Sequence, residues 1–130
     1  MSSQKLLGTV LVFLIVAPIA AQNPDPRRDP TLAVAEMIRL LEKKDHATLL
    51  KTFATPEELE RLTRDKTFDA RVVEFANTRA AGYLLALQAA SKMKPTFNDD
   101  RTRAYYRFEK PIGGEPRISL QKIGEFWYLR

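Results

Sequence analysis

The spacing of the apolar residues changes once along this chain, at Pro95, and that change decides what it can fold into. Before Pro95 the apolar residues recur at intervals of three and four, the period of an amphipathic helix. In RTRAYYRFE, residues 101–109, they alternate one for one: Ala104, Tyr106 and Phe108 fall on one face, Arg103, Tyr105 and Arg107 on the other. A helical half followed by a half-buried antiparallel half is an α+β chain, with N-terminal helices packed on a C-terminal sheet of three or four strands.

The helices have legible starts. Asp29 followed by Pro30 is a cap and first-turn pair, with Leu32, Ala35, Ile38 and Leu41 behind it as the expected inward face to about Lys44. Asp45 caps a short second helix through Phe53. In TPEE, Thr55 is the cap, Pro56 the first helical residue, and Glu58 completes a capping box. Glu57 with Arg61 and Glu60 with Arg64 are placed for surface pairs. A long helix is predicted from Phe68 to Lys92, with Val72, Phe75, Arg79, Tyr83 and Leu87 on its inward stripe and Pro95 stopping it.

The strand register follows from parity. With Gly124 and Glu125 as a two-residue turn, Ile123 faces Phe126, Lys122 faces Trp127, Gln121 faces Tyr128 and Leu120 faces Leu129. Ile118, Leu120, Trp127 and Leu129 then share the inner face, and Ile123, Phe126 and Tyr128 the mixed outer one. Bringing Tyr106 and Phe108 to the inner face requires an odd connection, such as a three-residue loop Ile112 to Gly114, because a slip of one would turn every side chain over. A short strand around Thr96 to Asn98 precedes these.

The first 22 residues place Lys5 ahead of an apolar run from Leu6 to Ala17, broken by Pro18 and followed by the small residues Ala20 and Ala21. This is the layout of a secretory signal peptide at residues 1–21, and it predicts an exported protein, periplasmic or extracellular, with no stable membrane anchor after cleavage. Residues 22–29, rich in proline and charge, read as a flexible linker, and residues 30–130 as a single domain. With no cysteine, that domain must be held by packing alone. Loss of Lys5 leaves 20 of the 21 basic residues against 16 acidic ones, interspersed along the chain, so no nucleic-acid partner is expected.

Catalytic chemistry is sparse. His46 is the sole histidine and sits beside Asp45 at a helix junction, where adjacent side chains diverge. Asp99 and Asp100 lie in a turn, and Gly113 and Gly114 lie between strands, not before a helix. No catalytic residue, metal ligand or cofactor is assigned. The candidate pocket residues are Arg79, Tyr83, Tyr106 and Trp127, which would line a cavity between the long helix and the sheet if it is not simply packed. The candidate interaction face is Tyr105, Ile123, Phe126 and Tyr128, whose aromatics suit a partner protein or a homodimer through the sheet.

The run FEKPIGGEPRISLQKIGEFWYLR, residues 108–130, with its glycine-centred turn, its Ile-Ser-Leu strand and its Gly-Glu-Phe-Trp-Tyr-Leu close, resembles small exported bacterial domains of the nuclear transport factor two-like superfamily, including lumazine-binding-like domains of unknown function. That resemblance implies a cone-like fold with helices in the concave side of a curved sheet, in a superfamily of isomerases, hydrolases and non-catalytic modules. The strand those relatives carry between the second and the long helix is absent, as is an inward acid–base pair, so a reduced, non-catalytic binding or interaction module is expected. The alternative is a small-molecule carrier or cone-pocket enzyme.

Overall fold

The computed structural model describes residues 24–130; the signal segment read at residues 1–21 lies outside them. Among the described residues a 3-10 turn, Pro26–Arg28, leads into five α-helices: α1 (Pro30–Glu42), α2 (His46–Phe53), α3 (Pro56–Arg64), α4 (Phe68–Thr78) and α5 (Ala80–Ala90). Four strands follow: β1 (Thr96–Phe97), β2 (Arg103–Ile112), β3 (Glu115–Ile123) and β4 (Phe126–Leu129). They form one antiparallel meander in chain order. The α+β reading holds, with four strands. No helix among the described residues is long and apolar enough to cross a membrane.

The caps lie where the sequence places them. Asp29, Asp45 and Thr55 accept from the backbone N–H of Leu32, Thr48 and Glu58. The capping box at Thr55 is half made, however: the Glu58 carboxylate turns to Arg61 at 2.9 Å instead of reaching back. That contact also takes Arg61 away from Glu57.

The inward face of α1 is rotated from the expected one. Ala33, Val34, Met37, Leu40 and Leu41 are buried, whereas Leu32 is 42% exposed and Ala35 is exposed. Steps of three alone, as in 32, 35 and 38, drift around a helix of 3.6 residues per turn, while 33/34, 37 and 40/41 stay over one stripe.

The predicted long helix bends at Arg79, whose φ of −127° and ψ of −25° end α4 and begin α5. The Thr78 hydroxyl donates to the Glu74 carbonyl at 2.7 Å, a back-bond that competes with the helix ladder and bends helices. Arg79 consequently leaves the inward stripe and is exposed, while Phe75, Ala80, Tyr83 and Leu87 remain inside.

The register of β3 with β4 is the one read from the sequence at all four pairs. Gly124 alone has positive φ there, at 63°, as a two-residue turn with glycine first requires. The β2–β3 connection differs. It is a two-residue turn with Gly113 and Gly114 both at positive φ, and Ile112 faces Glu115. Alone, such a turn would send Tyr105 and Arg107 into the core. Between the pairs Ile112↔Glu115 and Arg107↔Arg117, four residues of β2 lie against the single residue Pro116, and this odd shift restores Tyr106↔Ile118 and Ala104↔Leu120 on the inner face. Pro111 and Pro116 lack the N–H that regular pairing there would need. The shifted hairpin carries Gly113 against Gly82 of α5, so closely that a Cβ on either glycine would collide with the other's carbonyl.

The inner face, with Ala104, Tyr106, Ile118, Leu120 and Trp127, packs under α1 and α5 in one continuous core that includes Phe53 and Phe75. Phe108 packs at its margin. The segment read as a flexible linker is built in from residue 24: its 3-10 turn lies against β4, with the Arg27 guanidinium 4.1 Å from the Phe126 ring centre and bound to Asp25 at 2.8 Å.

Candidate functional site

The outer face of the sheet is made by the period-two alternation that builds the inner one. Arg103, Tyr105 and Arg107 of β2 stand beside Gln121, Ser119 and Arg117 of β3. Ile123 and Phe126 form the next pair along, and Gln121 and Tyr128 the one between. The Arg107 guanidinium lies 4.4 Å from the Tyr105 ring centre and so covers it. Arg107 and Arg117 are directly opposite, a like-charge cross-strand pair that costs stability instead of adding it. Among the described residues neither of these, nor Arg103, has a carboxylate within 4.0 Å; the ion pairs lie elsewhere, chiefly along the helices.

The four interaction-face residues are therefore not equivalent. Ile123 is 39% exposed and Tyr105 half-buried, both on the open outer surface. Tyr128 is only 7% exposed and Phe126 is half-buried under the arginines of the 3-10 turn, so the expectation that they present a free contact surface does not hold. The residues that sequence reasoning missed as a site are Arg103, Arg107 and Arg117. Their signal was present: alternation aligns the first two with Tyr105, and the register sets the third opposite. Counting charge along the chain conceals this, because the intervening residues face the core.

The four pocket residues are also divided. Arg79 donates to Glu115 at 3.0 Å, lies 5.2 Å from the Tyr83 ring centre, and with Tyr83 lines an open cleft of about 350 Å³ that neither Tyr106 nor Trp127 lines. Burial raises the Tyr83 pKa, Arg79 opposing and Glu115 adding to the rise. Tyr106 is in the core, and its hydroxyl is the one buried side-chain polar atom among the described residues without a hydrogen-bond partner. Burial raises its pKa too; nearby Thr31 tempers the effect without reaching hydrogen-bond geometry. Trp127 packs against Phe97 with ring centres 5.9 Å apart.

The remaining polar candidates have structural roles. His46 meets Phe75 edge to face at 6.0 Å, and Asp45 is occupied as a cap. Asp100 accepts from the hydroxyl and backbone N–H of Thr102, bonds that hold its carboxyl below the usual range and close the turn before β2. No group of three or more His, Cys, Asp or Glu side chains that could hold a metal ion occurs among the described residues. Comparison with protein-family models, with curated proteins and with solved structures finds no significant match to this chain.

Proposed function

We propose that the protein is a non-catalytic interaction module of the bacterial envelope that docks an acidic partner protein on the outer face of its sheet. The observation that carries this reading is the set of guanidiniums of Arg103, Arg107 and Arg117 on one face, without carboxylate partners and with two of them directly opposed. A partner carboxylate between Arg107 and Arg117 would turn a repulsion into two charge-assisted hydrogen bonds. Arginine suits this work because its planar fork meets carboxylates in pairs. A second copy of the same face would add like charge, so the arrangement favours an acidic partner over a homodimer through this surface. Placement in the envelope rests on the signal-like segment, and the nuclear transport factor two-like resemblance rests on residues 108–130.

The carrier or cone-pocket enzyme reading needed Tyr83, Tyr106 and Trp127 around a common cavity, and the cleft that holds Tyr83 lacks the other two. The test is isothermal titration of an acidic peptide, poly-glutamate, into the mature protein at low and high salt. Saturable binding that weakens with salt and is lost in the doubly reversed variant Arg103→Glu/Arg107→Glu is expected. Binding that survives charge reversal, or a preference for a single-stranded oligonucleotide over the peptide, would overturn the proposal.

A further inference from the structure

β4 is shorter than β3 and pairs only with Leu120–Ile123, so beyond Ser119 the edge of β3 is open except where the Arg130 N–H donates to the Ser119 carbonyl at 3.2 Å. The bend between α4 and α5 brings Arg79 and Tyr83 to this gap. Two hollows meet there. One, of about 360 Å³, is lined by Arg79, Tyr83, Glu115, Arg117, Ser119 and Arg130. The other is the cleft of about 350 Å³, which shares Arg79, Tyr83 and Arg130 with the first and continues between Leu50, Leu62 and Phe75 and the end of β4 at Leu129. Each has the volume of a small-molecule site, roughly 300–1,000 Å³.

The two hollows differ in chemistry. In the first, Glu115 is engaged by Arg79 at 3.0 Å, whereas Arg117 and Arg130 have no carboxylate within 4.0 Å among the described residues, and the Arg130 guanidinium donates only to the Gln121 side-chain oxygen, at 3.5 Å. Two uncompensated guanidiniums beside a serine hydroxyl form a site for a tetrahedral oxyanion. In the second, Leu50, Leu62, Phe75 and Leu129 give an apolar strip from three helices and a strand, beside the polar side chains of Thr55, Glu58 and Arg71. We propose that the joined hollows bind a single-chain amphiphile with a phosphate head: the phosphate between Arg117 and Arg130 near Ser119, and the alkyl chain past Tyr83 along Leu62 and Phe75. Charge complementarity selects the head, and the adjacency of the hollows, which share Arg79, Tyr83 and Arg130, selects one chain attached to it.

This site shares Arg117 and Ser119 with the outer face of the sheet but neither Arg103 nor Arg107, and its test does not depend on that reading. The measurement is isothermal titration of inorganic phosphate, butyl phosphate and octyl phosphate into the protein and into the Arg117→Ala/Arg130→Ala variant. Thermal melts of both establish that the variant, altered only at exposed positions, is folded. One-to-one binding of octyl phosphate is expected, at least about tenfold tighter than butyl phosphate because added methylenes leave water, and about tenfold or more weaker in the variant. Equal affinity for inorganic and octyl phosphate would show a free-anion site and overturn the proposal. So would an unweakened variant, or no saturable binding of octyl phosphate.

Discussion

Tyr106 shows how little a single polar atom can contribute when its surroundings are apolar. Its ring is held in the core and its hydroxyl is orphaned, so the hydroxyl is desolvated without return. Replacing it by phenylalanine is expected to leave stability within about 0.5 kcal/mol of the parent or raise it by about 1 kcal/mol, read from urea unfolding. A loss above about 1 kcal/mol would mean that the hydroxyl has a partner in solution. Tyr83 and Tyr106 share a second consequence. Burial raises both pKa values above the ordinary 10.0, so the unfolded chain gives up these protons first. The stability they contribute is full below pH 10 and falls as pH rises above it. Phenolate absorbance should show Tyr83 and Tyr106 resisting ionisation until the protein unfolds. Ionisation of both while near-ultraviolet dichroism stays native would contradict this.

At the scale of elements, α3 and the β2–β3 hairpin make contrasting cases. The start of α3 was legible because the cap is local: Thr55 and Pro56 suffice, and Thr55→Ala should cost about 1 kcal/mol of stability, measured in the same unfolding experiment. The β3–β4 register was legible because a glycine at the first turn position and the burial pattern agree. The break at Arg79 was not, since Thr78 bonding back to Glu74 is one of several options for a threonine in a helix and nothing in the sequence selects it. The shift in β2 was half legible: parity demanded an odd offset, but whether the loop or the strand supplies it depends on the docking of Gly113 against Gly82. That docking joins helix to hairpin backbone to backbone. Gly82→Ala is therefore expected to destabilise by about 2 kcal/mol or more, well above the roughly 1 kcal/mol gain that alanine usually brings to a helix. Gly124→Ala, at positive φ but facing open space, should cost only about 1–2 kcal/mol. Equal effects at the two positions would mean that the hairpin tip does not touch α5.

For the whole molecule, the two faces of the sheet divide the work. The inner face with α1 and α5 makes the core that a chain without cysteine requires, and its residues were identifiable from alternation alone. The outer face was legible as a pattern but not as a site, because its meaning lies in which charges find partners, and that is a property of the assembled fold. Glu36, Glu58 and Glu74 of the helices are drawn into local pairs with arginines of their own helices, individually worth little. None of the ion pairs among the described residues includes Arg103, Arg107 or Arg117 of the sheet. Removing one of the opposed pair should thus affect stability and binding in opposite directions. Thermal melts of the parent and of Arg117→Gln, each with and without poly-glutamate, measure both at once. Arg117→Gln alone should melt at the same temperature or higher, by the equivalent of about 0.2–1 kcal/mol of relieved repulsion, and should gain less from the peptide than the parent does. A variant that melts lower yet is stabilised by the peptide as much as the parent would contradict the assignment of this face as the partner surface.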